Sequence, residues 1–171
     1  IVDADLKDFF GSVDHEKLLT LVNQRVADGR VLRLIQSILK AGCCAEGKQL
    51  PTEQGAPQGG VVSPILSNVL LTPFDREMRR RGYQITRYAD DWIATCRSRS
   101  EATALLKTAQ RILAKLGVTL HSGKTRIVNV RQGFDFLGFR IKCGSRPLKL
   151  APEKIRSGVK AGALYAYPRT K

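Results

Sequence analysis

Long apolar runs are missing from this sequence, which excludes a membrane-spanning helix: nothing approaches the roughly 18 apolar residues a span needs, and stretches such as Val69-Leu70-Leu71 are short. Methionine is nearly absent. The only one is Met78, and the chain opens Ile1-Val2-Asp3-Ala4-Asp5, with two acids where a secretory leader would be basic. We therefore expect a piece of a longer, cytoplasmic protein. Cysteine and histidine are sparse too. Cys43, Cys44, Cys96 and Cys143 form no C-x-x-C, and His15 and His121 stand alone, so a zinc site is not expected and reduced thiols are. Adjacent Cys43 and Cys44 read as two small apolar residues, because neighbouring cysteines bridge only with strain.

Acidic residues are scarce in one half only. Residues 1–75 hold 7 basic and 9 acidic side chains, a net of −2, whereas residues 76–171 hold 22 and 6, a net of +16. The basic half suits a polyanion, with nucleic acid ahead of charge kept for solubility. Membrane headgroups fit less well, since no basic amphipathic helix with aromatic anchors stands out. The chain has 171 residues, 43% of them apolar and 26% charged, the profile of one globular domain and not of a disordered segment.

Apolar spacing marks the elements. Ile1 to Lys7 alternates as a half-buried strand that puts Asp3, Asp5 and Lys7 on one side. Asp14 caps a helix with Leu18, Leu19, Val22 and Val26, and a second stripe runs from Val31 to Leu39, ending at Gly42. Ala45 to Gly60 reads as loop or short hairpin. Ser63-Pro64 reads as an N-cap followed by proline at the first helical position, opening a helix that Thr72-Pro73 should kink or restart. Two short strands, Gln84 to Tyr88 and Trp92 to Thr95, flank a turn at Ala89-Asp90-Asp91. Ser98 and Glu101 form a capping box for a helix that ends at Gly117. Val118 to Leu120, Arg126 to Val130 and Phe134 to Lys142 then read as short strands, with Leu137 and Phe139 in the core. Strands mixed with helices of unequal length indicate an α+β fold.

Asp90-Asp91 is where the sequence asks for chemistry. Adjacent carboxylates at a tight turn repel each other unless a cation or a proton sits between them. A turn that simply favours Asp is the plain alternative. Asp5 tips the balance: three carboxylates from two sheet elements, with the Leu6 carbonyl as a further oxygen, make a hard site of the kind Mg²⁺ accepts. Two such ions beside a basic flank point to nucleotidyl transfer on nucleic acid.

Four segments carry a family resemblance: Val2-Asp3-Ala4-Asp5-Leu6-Lys7-Asp8-Phe9-Phe10, Gln54-Gly55-Ala56-Pro57-Gln58-Gly59-Gly60-Val61-Val62-Ser63-Pro64, Arg87-Tyr88-Ala89-Asp90-Asp91 and Phe136-Leu137-Gly138-Phe139. In this order and spacing, over nearly all of the chain, the sequence resembles reverse transcriptases, above all the bacterial group II intron reverse transcriptase/maturases. The resemblance implies a polymerase palm, an antiparallel sheet backed by helices with a ferredoxin- or RRM-like core, over residues 1–145. About 30–60 would return into the fingers, and 146–171 would lead toward a thumb, with Tyr165 and Tyr167 among basic residues that could meet RNA. It implies that Asp5, Asp90 and Asp91, with the Leu6 carbonyl, hold two Mg²⁺ ions, for which Mn²⁺ can substitute. Phe10 matches the aromatic that excludes a 2′-hydroxyl; Pro57, Gln58 and Gly59 match the loop lining the nucleotide pocket, and Tyr88 adjoins the paired acids. Lys124 matches the lysine proposed to protonate pyrophosphate, and Phe136 to Phe139 matches the primer-grip hairpin. The implied partners are an RNA template, a DNA or RNA primer, dNTPs and intron RNA, with no membrane. A role mainly in RNA splicing, or a retron-type enzyme, are the alternatives. Gly11 departs from the family, where Asp often follows the paired aromatics. Asp3, Asp8 and Asp14 read as structural.

Overall fold

The computed structural model describes residues 1–41, 43–45, 48–50, 54–56, 62–143 and 164–168. Its centre is a four-stranded antiparallel sheet in the order β4-β5-β1-β6, formed by β1 (Val2–Asp5), β4 (Gln84–Tyr88), β5 (Asp91–Thr95) and β6 (Arg126–Ile127). The strand that arrives first therefore lies inside the sheet. Register sorts its side chains by period two: Val2 faces Ala94 and Ala4 faces Trp92, while Asp3 faces Ile93 and Asp5 faces Asp91. The first set is buried and meets the helices behind the sheet.

Those helices are α1 (His15–Asn23), α2 (Gly29–Lys40), α3 (Ser63–Arg80) and α4 (Arg99–Lys115). Asp14 caps α1 by accepting from the Glu16 and Lys17 amides, and Asp28 caps α2 through Arg30. Val26 lies beyond the end of α1. The capping box at α4 is present with one shift: Ser98 Oγ accepts from the Glu101 amide at 3.1 Å, but Glu101 reaches back to the Arg97 amide at 2.7 Å, one residue earlier than the standard arrangement.

The start of α3 differs from expectation. Val62 stands at the cap with helical angles, φ −89° and ψ −20°, which draws Ser63 in as the first helical residue. Pro73 does not end the helix, which runs unbroken from Ser63 to Arg80. Proline removes only its own bond to the carbonyl four residues back. Phe74 and Met78 are fully buried on the far side of it, and that packing holds the last two turns in line. The Phe74 ring meets Trp92 of β5 edge to face, 5.3 Å between centroids.

A hairpin of β2 (Cys43–Ala45) and β3 (Lys48–Leu50) follows α2; the side chains of Cys43 and Cys44 lie outside the described residues. Val118 to Leu120 is not a strand, apart from one bridge between Leu6 and Leu120. Phe134 to Lys142 is two strands, β7 (Phe134–Phe136) and β8 (Phe139–Cys143), joined by the two-residue turn Leu137-Gly138. Both turn residues have positive φ, 51° and 79°, as a type I′ hairpin requires. Leu137 and Phe139 are consequently exposed, 45% and 46%, and not core residues. The segment after residue 163 pairs with β8 as β9 (Leu164–Pro168).

Candidate active site

The β4–β5 hairpin turns on Ala89 and Asp90 alone, with Tyr88 paired to Asp91, so β5 begins one residue earlier than the sequence suggests. Ala89 sits at φ 53°, a strained value for a residue with a side chain. The turn is braced from behind. Arg87 points to the helix side, where its guanidinium grips Asp75 of α3 through two bonds of 2.6 and 2.9 Å and donates to the Ala89 carbonyl at 2.7 Å. Both side chains are largely buried, 7% and 15% exposed, which makes this fork the best-shielded ion pair among the described residues. Sequence reading did not assign it. Its signal was an arginine at an inward-facing strand position, where only a paired charge is tolerated.

On the opposite face Asp5 and Asp91 are direct cross-strand neighbours, and Asp90 stands on the turn beside them. Lys124 arrives from a loop hung on the same strand: the His121 amide donates to the Asp5 carbonyl at 2.9 Å, and the Lys7 amide donates to Thr119 at 2.8 Å. Leu6 is buried between these two bonds and its own carbonyl takes no part in either. Lys124 Nζ donates to Asp5 Oδ2 at 2.7 Å. Asp5, Asp91 and Lys124 line a cleft of about 350 Å³ together with Asp3, Gly123 and Arg126.

Asp3 belongs to this site more closely than its sequence position indicated. It is 7% exposed, faces the same side as Asp5, and accepts from Arg126 Nε at 2.8 Å. The crowding has an electrostatic result. Burial, followed by the charges of Asp3, Asp5 and Asp90, pushes the Asp91 carboxyl up to about 6, against an opposing pull from Lys124. The bond to Asp5 in turn raises Lys124, and Asp3 raises Arg126, so both cations stay charged.

The donor chemistry fits a hard divalent cation, since one uncompensated carboxylate is already being driven toward protonation. The side chains are not gathered for one, however. Among the described residues no three His, Cys, Asp or Glu side chains form a ligand cluster, and an ammonium occupies Asp5.

The remaining matched residues lie nearby in the chain path. Phe10 opens a short 3₁₀ turn, Phe10–Ser12, half-buried with its ring edge to face against Phe9 at 5.3 Å. Its carbonyl accepts from the Ala56 amide at 2.7 Å, while the Gly55 amide donates to Val13 and His15 Nε2 meets the Gly55 carbonyl at 2.6 Å. Gly55 has φ 97°, and a Cβ there would stand 3.0 Å from the Phe10 carbonyl oxygen, so only glycine lets the two segments meet. The base of the following loop is thus fastened to Phe10, although Pro57, Gln58 and Gly59 lie outside the described residues. Tyr88 is exposed, 67%. At Gly11 a Cβ would touch the Asp8 carboxylate at 2.5 Å; the acid missing at 11 has its place filled by its neighbour's.

Residues 1–141 match the family model described as reverse transcriptase (RNA-dependent DNA polymerase). The protein YkfC of Escherichia coli strain K12 is 28% identical over 82% of this chain and 46% of its own length. The group II intron-encoded protein LtrA of Lactococcus lactis subsp. cremoris is 37% identical over 44% of this chain and 12% of its own, and the retron Mx162 reverse transcriptase of Myxococcus xanthus is 29% identical over 74% and 30%. The chain therefore spans less than half the length of these relatives. A truncated apo telomerase from Candida tropicalis shares the fold, with a TM-score of 0.65 at 16% identity over 83% of this chain and 33% of its own. With the family model matched over most of its length, this chain belongs to the reverse transcriptase (RNA-dependent DNA polymerase) family.

Proposed function

We propose that the chain forms the palm of an RNA-directed DNA polymerase of the group II intron type, which adds dNTPs to a primer 3′-hydroxyl on an RNA template. Proteins of this family generally use divalent metal ions. The observation that carries the reading is the pairing of Asp5 with Asp91 across the β1–β5 register, with Asp90 on the adjoining turn. Asp5, Asp90, Asp91 and the Leu6 carbonyl would hold two Mg²⁺ ions, or Mn²⁺ in their place. Bound there, the ions would acidify the primer hydroxyl and offset charge on the departing pyrophosphate.

The chain's own residues do the rest. Lys124 donates a proton from Nζ to the leaving pyrophosphate; its exposed position on the cleft supports that role, and the Asp5 hydrogen bond that raises its pKa keeps it protonated beforehand. Phe10 screens the sugar, and its hydrogen bond to Ala56 ties it to the loop of Pro57, Gln58 and Gly59 that would line the nucleotide pocket. Arg87 and Asp75 position the turn without touching substrate. The exposed Leu137 and Phe139 would hold the primer. Similarity to group II intron-encoded proteins supports an accompanying role in splicing, with intron RNA as partner; the retron relatives support the same chemistry on another RNA.

The test uses the complete gene product that carries this chain. Mg²⁺-dependent extension of a primer on an RNA template is expected, falling at least about a thousandfold in Asp90→Ala. Extension that survives Asp90→Ala would sink the proposal. RNA binding that persists in Asp5→Ala while extension disappears would separate the splicing role from polymerisation.

A further inference from the structure

The end of the sheet remote from the Ala89-Asp90 turn carries a second and larger cleft, about 450 Å³. Gln84 and Thr95 pair at this end, and the chain enters it from Arg79, Arg80 and Arg81 at the foot of α3 and leaves it through Arg97 and Arg99. The cleft has two kinds of wall. Its depth is apolar, with Cys96, Ala102 and Ile127 half or fully buried, whereas its mouth is polar, with Arg97, Arg99 and Asn129 exposed. Among the described residues no carboxylate lines it.

The acids closest in sequence already have partners, although Glu101 stays beside Arg97 and Cys96. The Glu101 carboxylate accepts from the Arg97 amide at the start of α4, and Glu77 is taken by Arg80 and Arg81 at 2.7 Å each. No hydrogen bond or ion pair occupies the guanidinium of Arg97 or Arg99 among the described residues. Two unpartnered planar cations beside an apolar recess of this volume suit a ligand with an anionic part and a flat apolar part. A duplex backbone would use only the mouth, since its bases are stacked away, whereas an unpaired nucleotide offers both a phosphate and a free base.

We propose that this cleft is a second RNA site, which takes an unpaired nucleotide of a single strand with its base in the apolar recess and its phosphates on Arg97 and Arg99. The inference rests on the RNA-handling reading above, but at a place the polymerisation chemistry does not use. Two arginines whose guanidinium groups are in no ion pair among the described residues would let the protein hold RNA here while the acid-lined cleft at the other end holds the reacting groups.

The experiment measures binding of an unstructured RNA oligonucleotide to the complete gene product over a salt series. In the Arg97→Ala/Arg99→Ala double variant, two lost phosphate contacts should reduce the salt slope by about 1.4, and affinity should fall about tenfold at low salt and converge on wild type at high salt. Arg97→Lys/Arg99→Lys should keep the slope. In the wild-type protein, saturating RNA should protect Cys96 and Cys143, both lining the cleft, from maleimide, as read by mass spectrometry. Extension on a short primer and template should stay within about twofold in the alanine variant. An unchanged slope, or thiols labelled equally with and without RNA, would overturn the site. So would displacement of the RNA by polyglutamate at equal charge, which would leave a general anion surface. Failure of the polymerase reading would look different: extension absent from the wild type, with slope and protection still measurable.

Discussion

The β4–β5 and β7–β8 hairpins turn on two residues each, and they do opposite things. The β4–β5 turn draws carboxylates together, at Ala89 φ 53°, and is bolted to α3 by the buried Arg87–Asp75 fork. The β7–β8 turn pushes apolar side chains outward, with Leu137 and Gly138 both at positive φ, and its cross-strand arginine, Arg140, makes exposed contacts to Asp135 at 3.2 Å and to the Gln132 carbonyl at 2.9 Å. A turn that gathers like charges needs an anchor behind it; one that presents apolar surface needs only the right backbone. Like-charge repulsion is the reason, because it works against the fold wherever no cation intervenes.

The largest effect should come from relieving that repulsion. Asp91→Asn is expected to lower extension about a thousandfold while raising the melting temperature of the metal-free protein. The sign follows from linkage: the folded-state pKa, about 6, lies above the ordinary 3.8, so the folded protein binds the extra proton. Stability therefore falls as pH rises from about 4 through 6, and the loss is complete above it. With solvent screening allowed for, the relief at neutral pH is on the order of 1 kcal/mol, or about 2–4 °C. A melting temperature lower than wild type at pH 8, or a variant that keeps the same pH dependence, would count against it.

Removing the anchor comes next. Arg87→Ala leaves Asp75 buried without its partner and should cost about 3–5 kcal/mol in denaturant unfolding, whereas Arg140→Ala in the second hairpin should stay within about 0.5 kcal/mol. Equal losses would erase the contrast. Smaller still, Gly138→Val forces a β-branched residue to φ 79° and should lower stability by about 1–3 kcal/mol. Smallest, Ala89→Gly relaxes φ 53° and should stabilise by at most about 1 kcal/mol, read as a small rise in melting temperature.

How much of this was legible in the sequence depended on the range of the interaction. Asp14 and Ser98 announced helix starts because a cap is settled within three residues. The pairing of Asp5 with the Asp90-Asp91 turn was readable because motif and period agreed. Leu137 and Phe139 were misread because the alternation of Leu137, Phe139 and Ile141 was followed straight through a two-residue turn, which shifts the phase and pairs Phe136 with Phe139 on one face. Pro73 misled because its local penalty is visible while the burial of Phe74 and Met78 that offsets it is not. Asp3 and Arg126 are 123 residues apart, and nothing local foretells that they meet.

The strand order β4-β5-β1-β6 carries one more consequence. Asp5 ends a strand with a partner on either side, whereas β4 and β6 each have a neighbour on one side only within this sheet. Edges fray first, so amide exchange should open the sheet from its margins and reach β1 last. Asp5 then keeps its address through partial opening, ready for the turn that carries Asp90 and Asp91 to close against it again.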